Sequence, residues 1–119
     1  FEKYDALLKN KLWAQTPVYE TADKTSSFHI YMLRITAITE EQRDVMMDKI
    51  AAQNVAVNVH FQPLPLFTAY KKLGFSMNDF PEAFKQYSRE ITLPVFYDIN
   101  DEQIEAVVNA VSTAYESLT

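Results

Sequence analysis

The sequence predicts an α+β sandwich: a small, mostly antiparallel sheet with helices packed mainly on one face. Three observations carry that expectation. Thr39 and Asn100 each open a helix start with capping-box chemistry, residues 28–35 are rich in aromatic and β-branched side chains, and hydrophobicity alternates strictly from Val55 to Phe61. The chain has 119 residues, 48% of them hydrophobic and 13% aromatic, which suits one domain closing one core. A single glycine, five prolines and 23% charged residues argue against disorder or a linker.

Taken from the amino end, Tyr4, Leu7, Leu8 and Leu12 fall at helical spacing, so a helix is expected over residues 2–14, stopping before Pro17. The polar stretch from Thr21 to Ser27 reads as a loop. Residues 28–35, apolar on both alternating sets, read as a central strand buried on two faces, with His29 packed inside it. Thr39-Glu40-Glu41-Gln42 fits the S/T-x-x-E/Q capping box and predicts a helix from about Glu40 to Gln53. Its core face would hold Val45 or Met46 and Ile50, and Asn54 would end it in the left-handed conformation.

From Val55 the period is two. Val55, Val57, Val59 and Phe61 share one face and Ala56, Asn58 and His60 the other, predicting a strand with a dry side and a polar side that ends at Pro63 and Pro65. Helical stretches are expected near Phe67–Leu73, with Gly74 at the stop, and over Pro81–Ser88. Ile91-Thr92-Leu93 reads as a short strand closed by Pro94, with Thr92 facing away from its two neighbours. After Asn100, the stripe Ile104, Val107, Val108, Val111, Tyr115 and Leu118 marks the clearest amphipathic helix. Both long helices are expected on the Val57/Val59 face of a sheet of about three strands.

Composition excludes several chemistries. A net charge of −5 with one adjacent basic pair, Lys71-Lys72, disfavours nucleic acid, which needs clustered cations to neutralise phosphates. The absence of cysteine excludes disulfides, thiolate metal sites and thiol catalysis, and fits the cytoplasm. No apolar run is long enough for a membrane helix. One glycine excludes the P-loop and dinucleotide fingerprints, and no G-x-S-x-G elbow is present. His29 and His60 lack the spacing or carboxylates that would support a metal site. His60 with Asn58 is either a solvent-facing strand pair or a ligand-facing surface, and Phe61, Phe67 and Tyr70 either pack under the Pro63/Pro65 turn or rim a cleft. The sixteen acidic residues read as a solvated surface.

Three stretches together carry a resemblance. Ser26-Ser27-Phe28-His29-Ile30-Tyr31, Val59-His60-Phe61-Gln62-Pro63-Leu64-Pro65-Leu66 with Tyr70, and Ile91-Thr92-Leu93-Pro94 before Asp101-Glu102-Gln103-Ile104 resemble the carboxy-terminal small domain of the DegT/DnrJ/EryC1/StrS family. These are fold-type I, pyridoxal phosphate-dependent aminotransferases acting on nucleotide-linked keto sugars. The resemblance implies a connector helix from a large domain over residues 1–15 and the small domain over 16–119. It also implies a substrate-side surface at His60, Phe61 and Pro63, to which the polar-face reading adds Asn58, although many members carry a second histidine where this chain has Pro65, and Asn54 stands in place of a glycine.

By the same resemblance, the cofactor lysine, its acidic partner and the phosphate loop belong to the large domain. No cofactor, no metal and no catalytic residue is therefore expected in this chain, whose eight lysines all read as exposed. Glutamate as amino donor, a nucleotide-sugar substrate and a full-length homodimer follow as expectations, and a chain starting at Phe1 without Met reads as a piece of something longer or as one whose disordered start is left out. The alternative is a stand-alone α+β module binding a small ligand or a protein through the Asn58/His60 face.

Overall fold

The computed structural model describes residues 1–119. Its elements in chain order are α1 (Glu2–Leu8), β1 (Ala14–Gln15), β2 (Tyr31–Ile35), α2 (Glu40–Ala51), α3 (Thr68–Lys72), α4 (Pro81–Tyr87), β3 (Glu90–Leu93) and α5 (Asp101–Glu116). Single turns of 3₁₀ helix at Leu64–Leu66 and Met77–Asp79 flank α3. The sheet is antiparallel in the order β1-β2-β3, so β2 is central as the sequence predicts.

Residues directly opposite in a ladder share a face. Tyr31 pairs with Leu93, Leu33 with Ile91, and Ile35 with Ala14, and this face carries the core. The core cluster joins Tyr31, Leu33, Ile35, Ile91 and Leu93 to Tyr4 and Leu8 of α1, Met46 and Ile50 of α2, and the Ile104–Ala114 stripe of α5. Helices α1, α2 and α5 therefore lie on one face of the sheet. The opposite face presents Met32, Arg34, Glu90 and Thr92.

Both capping boxes form. Thr39 Oγ1 accepts from the Gln42 amide and Gln42 Oε1 accepts from the Thr39 amide, and Asn100 and Gln103 repeat the exchange. Each satisfies two of the amide donors that a helix start leaves unpaired. On α2, Met46 and Ile50 are buried and Val45 is exposed, while Asn54 has φ 61° and Gly74 φ 91°, both left-handed as expected.

Four expectations need correction. The first helix ends at Leu8, not at residue 14, and Leu12 is exposed. Turns after Leu8 instead bring Trp13 to stack on Tyr115 and Ala14 into the sheet beside Ile35, so tertiary packing overrides helical periodicity. The central strand starts at Tyr31, preceded by Phe28 at φ 55°, and His29 is exposed outside the strand.

The third concerns Val55–Phe61, which is extended along the outer edge of β3 but is not a strand: one bridge, Asn58 to Thr92, is all it forms. A side chain takes the amide that would extend the ladder, since His60 N–H donates to Glu90 Oε2 rather than to a β3 carbonyl. Val55 and Val57 still pack on the core, as the period implies. The fourth is the loop aromatics. Phe61 is 74% exposed, and Phe67 and Tyr70 are exposed as well, so none is buried under the Pro63/Pro65 turn, and Tyr70 instead rims a cleft with Pro63 and Pro65.

Candidate functional site

The open face of the sheet carries the polar cluster. Thr92 of β3 projects there, the Asn58 bridge lays the 56–60 segment alongside it, and His60 comes to lie over Thr92 with Nδ1 2.9 Å from Thr92 Oγ1. Glu90, two residues before Thr92 and so on the same face, closes the cluster. One of its carboxylate oxygens accepts from the His60 amide at 2.9 Å and the other from the Thr92 hydroxyl at 2.5 Å. Burial pushes the Glu90 carboxyl up from its ordinary range, while the Thr92 hydroxyl, the His60 amide and the nearby charges oppose that rise.

His60, half-buried, stands at the wall of an open cleft of about 390 Å³, with Asn58, Thr92, His29 and Pro94 also lining it. The cleft brings His29 and His60 together, but no group of three His, Asp or Glu side chains suited to a metal ion occurs in the structure. Neither lysine nor arginine lines it. A second cleft of about 430 Å³, nearly all apolar, lies between Pro63, Leu64 and Pro65 on one side and Tyr70, Phe75 and Phe80 on the other. Of the four residues expected at the site, Asn58 and His60 line the first cleft and Pro63 the second. Phe61 bridges the gap, its ring edge-on to His60 at 4.7 Å between centroids, across a cis His60–Phe61 peptide bond.

Glu90 was hidden among sixteen acidic residues that read as solvated surface; it is 3% exposed. The available signal was alternation. Extending the Ile91/Leu93 face back by one residue puts Glu90 beside Thr92 on the polar side. Arg43 was also missed. Its guanidinium is buried against Tyr87 and donates from Nη1 to the Tyr87 and Glu90 carbonyls at 3.0 and 3.2 Å.

No lysine of the chain is buried, and Lys3, Lys49 and Lys85 bond to surface partners. With no cation at the cleft either, the residues present do not fit a covalently held carbonyl cofactor or its phosphate.

The segment that holds the second cleft has no core of its own. No residue between Ile50 and Ser88 is buried, and Phe61, Leu64, Phe67, Tyr70, Leu73, Phe75, Phe80 and Phe84 are all exposed, Leu73 by 73%. That is more clustered apolar surface than an isolated small domain ordinarily presents.

Comparison with known proteins bears on this geometry. The sequence model of the DegT/DnrJ/EryC1/StrS aminotransferase family matches residues 1–112. Spr1654 of Streptococcus pneumoniae, assigned as a sugar aminotransferase and solved in its PMP-form, superposes with a TM-score of 0.94 at 32% identity, covering 99% of this chain and 29% of that one. An uncharacterized protein of Methanocaldococcus jannaschii is 37% identical over 87 residues, 71% of this chain and 22% of that protein. A UDP-4-amino-4,6-dideoxy-N-acetyl-beta-L-altrosamine transaminase of Helicobacter pylori is 23% identical over 114 residues, 96% of this chain and 30% of that protein. The chain thus spans less than a third of the length of each.

Proposed function

Since this chain belongs to the DegT/DnrJ/EryC1/StrS aminotransferase family, we propose that it is the small carboxy-terminal domain of a sugar-nucleotide aminotransferase. The observation that carries this reading is the superposition of nearly the whole chain on under a third of a pyridoxamine phosphate-form sugar aminotransferase structure. On this reading the intact enzyme, a cytoplasmic homodimer, moves an amino group from glutamate to a keto sugar linked to a nucleotide. Pyridoxal phosphate supplies the electron sink for that transfer. Its lysine and phosphate contacts would come from the rest of the protein, and this chain alone would not catalyse.

The contribution of this chain is a surface. Asn58 and His60 would meet the sugar in the first cleft, with Phe61 and Pro63 fixing the turn beside it. α1 would lead in from the preceding domain while sharing the core of this one through Tyr4 and Leu8.

His60→Ala in the intact protein tests the reading. The ring is half-buried and Thr92 keeps its bond to Glu90, so Tm is expected to stay nearly unchanged. One lost ligand hydrogen bond is worth about 0.5 to 3 kcal/mol, so kcat/KM for the sugar nucleotide should fall by roughly threefold to a hundredfold. A variant that melts much earlier yet turns over normally while folded would make His60 a structural residue.

The exposed aromatic segment leads to a separate expectation. In the intact protein, the remaining domain or a second subunit would cover it, so the 119-residue chain on its own should self-associate through it. Sedimentation measures this, and Phe67→Lys with Leu73→Lys should return the chain to monomers. A wild-type chain that stays strictly monomeric at high concentration would count against the segment being a covered interface.

A further inference from the structure

We infer that Glu90 and Thr92 lock the neutral His60 ring with its proton on Nδ1, so that Nε2 faces the cleft as a bare acceptor and the ligand group it receives is a hydrogen-bond donor. The ligand class is then a sugar hydroxyl or amine, not a phosphate or carbonyl oxygen. This rests on the reading of His60 as a substrate-facing residue. Thr92 borders the cleft and Glu90 lies behind it, and both act through the His60 ring as positioning residues.

The argument follows the hydrogens. A backbone amide can only donate, so Glu90 Oε2, 2.9 Å from His60 N, is an acceptor. Ionised, Glu90 accepts at its other oxygen too, and Thr92 commits its one hydroxyl hydrogen there. Thr92 Oγ1 then has only lone pairs to offer His60 Nδ1, 2.9 Å away, and Nδ1 must carry the proton. Nε2 has no partner within the chain and is not among the buried polar atoms left unpaired.

The cleft wall agrees with this polarity. It holds no lysine or arginine that would draw a phosphate, so an acceptor nitrogen beside Asn58 is matched by a neutral, hydroxyl-bearing group. Had Thr92 been free to donate to Nδ1, the ring would present N–H outward and favour an acceptor ligand. Glu90 decides between these two states.

The test is nitrogen NMR on the intact protein labelled with ¹⁵N-histidine at about pH 8, where an ordinary imidazole is neutral. The His60 signals are identified by their loss in His60→Gln. The wild type should show the proton on Nδ1. Thr92→Val removes the acceptor, and Glu90→Gln lets the amide NH₂ donate to Thr92 so that Thr92 donates to Nδ1; both should move the proton to Nε2. Glu90→Gln should also raise KM for the sugar nucleotide by about two- to tenfold, one neutral hydrogen bond, and leave KM for the amino donor unchanged. A wild-type ring protonated at Nε2, or a tautomer indifferent to Glu90→Gln, overturns the inference. A tautomer that flips without a change in KM, while His60→Ala still impairs substrate use, overturns the donor-ligand assignment; if His60→Ala is neutral too, the substrate-facing reading itself fails.

Discussion

Leu33→Ala should lower the free energy of unfolding by about 2 to 5 kcal/mol, enough to consume much of the stability of a domain this size. Leu33 is 0% exposed in the central strand, paired with Ile91, and its side chain meets the helix layer. Collapse into the space is resisted, since β2 is hydrogen-bonded on both sides and α2 and α5 are pinned by their capping boxes. The loss therefore includes both the transfer of the side chain and the cavity it leaves. Urea unfolding measures it, with Leu12→Ala, at an exposed position, as the control expected within about 0.5 kcal/mol of wild type. A Leu33→Ala midpoint matching that control would mean the core is not organised around β2.

Where the sequence was legible, local chemistry and tertiary structure agreed. Thr39/Gln42 and Asn100/Gln103 carry their helix starts in four residues each, and the α5 stripe buries Ile104, Val107, Val108 and Val111 as its spacing requires. Where it was not, a long-range partner decided. Leu12 sits at helical spacing, but Trp13 leaves the helix to stack on Tyr115, more than a hundred positions away. Val55–Phe61 alternates like a strand, yet the Glu90 side chain captures the His60 amide and the ladder stops after one bridge. The candidate site was half legible for the same reason. Asn58 and His60 could be placed on a polar face by period alone, while Glu90 becomes part of the site only through contacts across some thirty residues of chain.

Arg43 is a second point of high expected cost, because its partners are main-chain carbonyls that remain when it is removed. At 2% exposure, it caps the Tyr87 carbonyl at the end of α4 and the Glu90 carbonyl at the start of β3, with the guanidinium carbon 4.9 Å from the Tyr87 ring centroid. A cation at a helix carboxy-terminus also meets the negative end of the helix dipole. Its ion pairs, to Asp44 at 2.6 Å and Glu40 at 3.6 Å, engage carboxylates near solvent, so this is not a sealed pair that an apolar residue could replace without cost.

Arg43→Met keeps the length of the stem but leaves both carbonyls short of a donor, at about 1 to 3 kcal/mol each, so a loss of roughly 2 to 5 kcal/mol is expected. The loss should be uneven along the chain. The segment from residue 51 to 87 has no buried side chain, and Arg43 ties its far end back to α2 where the chain re-enters the sheet. Amide exchange across α4 should therefore accelerate more in the variant than exchange in α5, and Arg43→Lys, which can still reach one carbonyl with a compact charge, should recover part of both effects. An Arg43→Met protein with wild-type stability and unchanged exchange in α4 would show that the aromatic segment is held by something other than this side chain.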